Sequence, residues 1–98
     1  MFKILTKKEV SKEEITVAFE SAKETFKRKI NIAKNFDLEF LLFLSGKKDI
    51  REAKKWAENG KEEIEIEFNL EKIISIKGAK REKAEIEEIE RISVSRIS

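Results

Sequence analysis

The sequence predicts an α+β fold: a single small domain in which three or four helices pack on a small mixed sheet. Three observations carry this. The segment 63-EIEIEF-68 alternates strictly between apolar residues and glutamate, the two-residue period of a half-exposed strand. Residues 12–27 instead repeat Ile15, Ala18, Phe19, Ala22 and Phe26 at three- and four-residue steps, the period of an amphipathic helix. The chain's 98 residues suffice for one domain with a modest core and leave no room for a second.

Taken in order, 2-FKIL-5 reads as a strand followed by the charged link 6-TKKEV-10. Ser11 with Glu14 three residues on fits a capping box for the helix 12–27. The outer face of that helix mixes attractive pairs (Glu20 with Lys23, Glu24 with Lys27 or Arg28) with like-charged neighbours at four residues, so it reads as a solvated face. A second helix is expected over 32–44, capped by Asn31, with Ile32, Phe36, Phe40, Phe43 and Leu44 on one side and Leu38, Leu41 and Leu42 on the others. A helix apolar on more than one side belongs at the centre. A strand is the alternative for the short run 38–44, but the spacing of Ile32, Phe36 and Phe40 extends the helical pattern past strand length.

Gly46 is placed to end this helix in a left-handed conformation. Asp49 and Glu52 form a second capping-box-like pair, and Ile50, Ala53, Trp56 and Ala57 give a third helix that stops at 59-NG-60. After the strand 63–68, the segment 70-LEKIISIK-77 is open between helix and strand and is broken by Gly78; 73–76 could extend the sheet. A charged helix is expected over 80–92, with a thin stripe of Ala84 or Ile86, Ile89 and Ile92, and 93-SVSRIS-98 reads as a weak strand or frayed end. Exposed apolar surface on that thin stripe would point to a protein partner or a homodimer.

The chain has no cysteine and no histidine, so it lacks a thiolate nucleophile, an imidazole base and the usual zinc ligands. Glu39 alone falls inside an apolar run, and helical spacing gives it no acidic partner. A carboxylate enzyme would need a deep pocket with paired acids, which the pattern does not provide, so neither catalysis nor a cofactor is expected. The glycines form no phosphate-binding loop. The longest apolar run, Phe40 to Leu44, is far short of the roughly 20 residues that span a bilayer. Without cysteines or the pattern of a secretory signal, a cytoplasmic protein without membrane association is expected. The bias towards Lys, Glu and Ile resembles the ion-pair-rich composition of heat-adapted proteins.

With 22 basic and 20 acidic residues, net charge does not mark a nucleic-acid binder, so any such role rests on clustering. The candidate cluster is Lys27, Arg28, Lys29 and Lys34 together with the corner residues Lys47, Lys48 and Arg51. Phosphate contacts need several such side chains on one surface, and helix N-termini near Asn31 and Asp49 would add backbone donors. Lysines also decorate the exposed corners of any lysine-rich protein. Phe36 and Trp56 could stack on bases, although their helical spacing suits core positions.

The stretch 29-KINIAKNFDLEFLLFLSGKKDIREA-53 resembles the central signature of the kinase-binding subunit family of the KEOPS complex. That family places an Ile-Ala pair before a leucine-rich helix, which runs into Ser-Gly, two variable or basic residues and a further helix beginning at an isoleucine. Here the matching residues are Ile32-Ala33, the run Leu38 to Leu44, Ser45-Gly46, and Ile50 followed by Ala53. The resemblance implies one family domain over 1–98, abbreviated after Phe68. It further implies a non-enzymatic accessory subunit of the machinery that makes threonylcarbamoyladenosine in tRNA. Such a subunit docks on the complex's small atypical protein kinase and, in archaea, helps recruit tRNA by its CCA end. A short interaction module that keeps the fold without binding RNA is the alternative.

Overall fold

Two antiparallel ladders organise the sheet. The computed structural model describes residues 2–6, 10–31, 33–79 and 82–83. Within them the order is β1 (Phe2–Thr6), α1 (Lys12–Lys27), α2 (Phe36–Ser45), α3 (Ile50–Glu58), β2 (Glu62–Phe68) and β3 (Ile73–Lys77). The strands lie in the order β1-β2-β3. β2 pairs antiparallel with β1, Ile4 opposite Ile64, and with β3, Ile66 opposite Ile76. The mixed sheet expected from the sequence is thus antiparallel throughout the described residues, while the α+β class and single domain are as expected. The segment 70–77, open in the sequence, resolves into a hairpin: the Asn69 side chain accepts the backbone N–H groups of Glu71 and Lys72, and β3 follows. Of the helix expected over 80–92, only Glu82 and Lys83 are described, in a bend; the rest of it, the link 7–9 and the segment 93–98 lie outside the described residues.

The strand alternation sorts the sheet into two faces. Ile4, Ile64 and Ile66 are buried against the helices, whereas Lys3, Glu63 and Glu67 face solvent. On the outer face the Lys3 ammonium lies 2.8 Å from Glu63 and 3.5 Å from Glu65. Hydrogen bonding and charge from Glu63, then the same from Glu65, raise the lysine above its ordinary pKa. At the β2–β3 ladder Glu67 opposes Ser75 and Phe68 opposes Ile73, so Ile74 is an extra, bulged residue without a partner on β2.

α2 lies between α1 and α3 and is buried over most of its length, from Phe36 through Phe40 to Ser45. Its aromatic residues reach the sheet: Phe40 and Phe68 meet edge to face with centroids 5.3 Å apart, and Phe19 of α1 meets Phe40 at 5.7 Å. Full burial of a side chain of this size stabilises the fold by about 1.5–3 kcal/mol, and such edge-to-face pairs add about 0.5–1.5 kcal/mol. Phe36 belongs to this cluster, 7% exposed and 5.2 Å from Phe19, and is therefore a core residue, not a stacking platform for bases. No helix among the described residues is long and apolar enough to cross a membrane.

The second helix begins at Phe36, not at Ile32, and its cap is Asn35, whose side chain accepts the Leu38 N–H at 3.0 Å. Two features delay it. First, α1 closes in a Schellman arrangement: the Ile30 N–H bonds the Thr25 carbonyl at 2.9 Å and the Lys29 N–H the Phe26 carbonyl at 3.2 Å, with Lys29 left-handed at φ 59. Second, the buried Glu39 carboxylate reaches back from α2 to accept the Ala33 N–H at 3.0 Å and the Thr25 hydroxyl at 2.6 Å, fixing the link against α1. Asn31 caps nothing; its amide donates to the Ala33 carbonyl at 2.8 Å.

Lys29 occupies the position that glycine normally takes, at a cost of about 1–2 kcal/mol for an L-residue. Set against the extra chain entropy that glycine loses on folding, Lys29→Gly is expected to raise stability by about 0.5 kcal/mol. The check is urea unfolding with the slope unchanged; a destabilised glycine variant would contradict the left-handed turn.

Candidate nucleic-acid interface

All seven basic residues singled out in the sequence are exposed, but they do not share one surface. Lys27, Arg28, Lys29 and Lys34 sit on the last residue of α1 and the link before α2, whereas Lys47, Lys48 and Arg51 sit beyond the other end of α2. Ten helical residues separate these groups by about 15 Å along the axis. The first group is also partly engaged: Arg28 Nε lies 2.8 Å from Glu24, the pair expected at four residues. Lys23, one turn earlier, is paired with Glu20 at 4.0 Å and donates to the Glu71 carbonyl at 2.6 Å, so α1 and the β2–β3 turn are tied together.

The second group is the better-defined platform. Gly46, at φ 73, ends α2 with its N–H on the Leu42 and Phe43 carbonyls, and the Ser45 hydroxyl accepts the Lys47 N–H at 3.2 Å. Asp49 caps α3 by accepting the Arg51 N–H at 2.8 Å. The capping box expected there is half formed, since Glu52 makes no return bond to Asp49. Chain direction is therefore fixed by a glycine and two short side chains, and Lys47, Lys48 and Arg51 project from it. None of the three enters an ion pair among the described residues.

A cavity of about 330 Å³ adjoins this corner, lined by Lys47, Glu52, Lys55, Trp56 and Asn59. Trp56 is half-buried, so its indole is shared between the core and this wall. Lys55 was not among the sequence candidates, although its signal is present: it follows Arg51 by four residues on α3 and so lies on the same face. The site thus combines four cations (Lys47, Lys48, Arg51 and Lys55), the two carboxylates of Asp49 and Glu52, and the indole of Trp56. That set suits a phosphorylated, unstacked nucleotide chain better than a compact anion.

Other chemistry has less support. Among the described residues no group of three or more His, Cys, Asp or Glu is arranged to hold a metal ion. Of the buried carboxylates, Glu39 is bonded as above, and Glu14 completes the Ser11 capping box by accepting the Ser11 N–H at 2.7 Å. Compared with protein-family models, curated proteins and solved structures, the chain matches none.

Proposed function

We propose that the chain is a non-catalytic accessory subunit of the KEOPS machinery for tRNA threonylcarbamoyladenosine, binding the complex's small atypical kinase and helping to recruit tRNA by its CCA end. The observation that carries this reading is the α2–α3 corner. The stretch 29–53 that resembles the family includes a nearly fully buried helix, a left-handed glycine and a second capped helix, with Lys47, Lys48 and Arg51 exposed where they join. A cation set on a rigid mount loses little freedom when it binds phosphates. The neighbouring indole offers a surface for an unpaired base.

The test is a binding titration against tRNA with and without its CCA end at two salt concentrations. The expected result is CCA-dependent, salt-sensitive binding. Converting Lys47, Lys48 and Arg51 together to glutamate is expected to abolish it, while the melting temperature moves by no more than about 3 °C because all three are exposed. Any residual binding should show a slope of log affinity against log salt reduced by about two to three. Retained binding would exclude the corner as the RNA contact, and no binding to either RNA would favour an interaction module of this fold without an RNA role.

A further inference from the structure

We propose that the cavity beside the α2–α3 corner receives the 3′ terminus of an RNA strand, with Glu52 accepting the free 2′,3′-diol of the last ribose while the Trp56 indole carries its base. This rests on the RNA-binding reading above and adds what the corner selects. The cavity is lined by Lys47, Glu52, Lys55, Trp56 and Asn59. Glu52 and Lys55 stand three residues apart on α3, a spacing at which opposite charges commonly pair, yet neither enters an ion pair among the described residues. The Asn59 amide and the indole N–H likewise make no hydrogen bond among the described residues. In the groove lined by Glu20, Lys23 and Glu24, by contrast, all three charges are already engaged. The α3 cavity therefore offers uncommitted groups, and one of them has the wrong sign for a phosphate.

A carboxylate among lysines repels phosphate and only accepts hydrogen bonds, so it needs a part of the ligand that brings donors without negative charge. The order along α3 says which part. Glu52 lies in the first turn, at the end that carries the corner cations, and Asn59 caps the other end about 10 Å further along the axis, with Trp56 between them. A nucleotide has the same order, phosphate and ribose at one end and the edge of the base at the other. With the phosphate at Lys47 and the base on Trp56, the base edge meets Asn59, whose amide matches the donor and acceptor of adenine. The ribose hydroxyls then fall to Glu52. Inside an RNA strand the 3′ oxygen is esterified and has no proton to donate, so both hydroxyls are present only at a chain end or on a free ribonucleotide. An end esterified by an amino acid or closed by a phosphate is refused.

Trp56 is the only tryptophan of the chain, so its fluorescence reports on this cavity. The test titrates the full chain with tRNA ending in adenosine, with the same tRNA ending in 3′-deoxyadenosine, and with AMP alone. The expected result is quenching by the first and about tenfold weaker binding of the second. Glu52→Ala, at an exposed position and checked for folding by circular dichroism, should bind the two tRNAs equally. Equal binding by the parent chain would overturn the diol contact and leave the RNA-binding reading standing. A preference that survives Glu52→Ala, or tRNA binding that leaves Trp56 fluorescence unchanged, would overturn it by placing the 3′ end elsewhere. Quenching by AMP without binding of either tRNA would overturn the RNA terminus as the occupant and give the cavity to a free ribonucleotide. Silence towards all three would overturn both readings.

Discussion

Leu41→Asp leaves no folded protein at room temperature. Leu41 is 6% exposed on α2, the helix that lies between α1 and α3. An aspartate there would lose its hydration without a donor supplied in return, and the leucine contacts would go with it. An uncompensated buried charge costs several kcal/mol, a large share of the roughly 5–15 kcal/mol that holds a domain together. Glu39, two residues earlier on the same helix and completely buried, shows what compensation looks like: the Thr25 hydroxyl and the Ala33 N–H both donate to it. A volume-conserving Leu41→Met is the control, with an expected loss below about 1.5 kcal/mol. Circular dichroism and urea unfolding decide the matter; a cooperatively folded aspartate variant would mean that this face of α2 is wet.

Gly60→Ala has a comparably large expected effect for a different reason. A β-carbon built at Gly60 would stand 1.7 Å from the Thr6 carbonyl carbon and 1.8 Å from its oxygen, distances that no rotamer change relieves because the obstacle is backbone. Thr6 cannot retreat freely, since it is the last residue of β1 and pairs with Glu62 just after the glycine. Either the β1–β2 ladder opens at that end or the chain leaving α3 moves outward. A loss on the order of 3 kcal/mol or more is expected, among the larger effects of a single methyl group. An alanine variant as stable as the parent would show that the two backbones do not approach so closely. Gly46→Ala is the useful contrast: Gly46 is left-handed at φ 73, and a β-carbon there carries the cost of that conformation.

These two glycines mark how far the sequence is readable. Gly46 is legible because its role is local: an apolar helix runs into it and a capped helix follows. The 59-NG-60 pair is legible as a helix stop, but the approach of Gly60 to β1 is a contact between distant parts of the chain that no local pattern records. Ser11 with Glu14, and the alternation of Ile64 and Ile66, are read correctly because a cap and a strand period depend on residues a few places apart. The start of α2 is misread for the complementary reason. Ile32, Phe36 and Phe40 keep helical spacing, yet the left-handed Lys29 and the Glu39 bond to Ala33 hold the link out of the helix. At the site, the exposure of each cation follows from its type and its corner position. The division of the cations into two groups is also latent in the sequence, since residues before and after a helix necessarily stand at its opposite ends. Lys55 becomes visible only when α3 is considered as a face and not as a string.

α2 therefore acts as a caliper. Its ten residues, most of them buried, set the two ends of the helix about 15 Å apart, and the packed core holds the flanking backbone in place. A single phosphate, a nucleotide or a short acidic peptide turn can touch one jaw only. An anion that engages both must be extended over several charged groups, because the two sets of cations flank opposite ends of the helix. On the proposed reading, length along the strand is selected together with the unpaired base that the Trp56 indole receives.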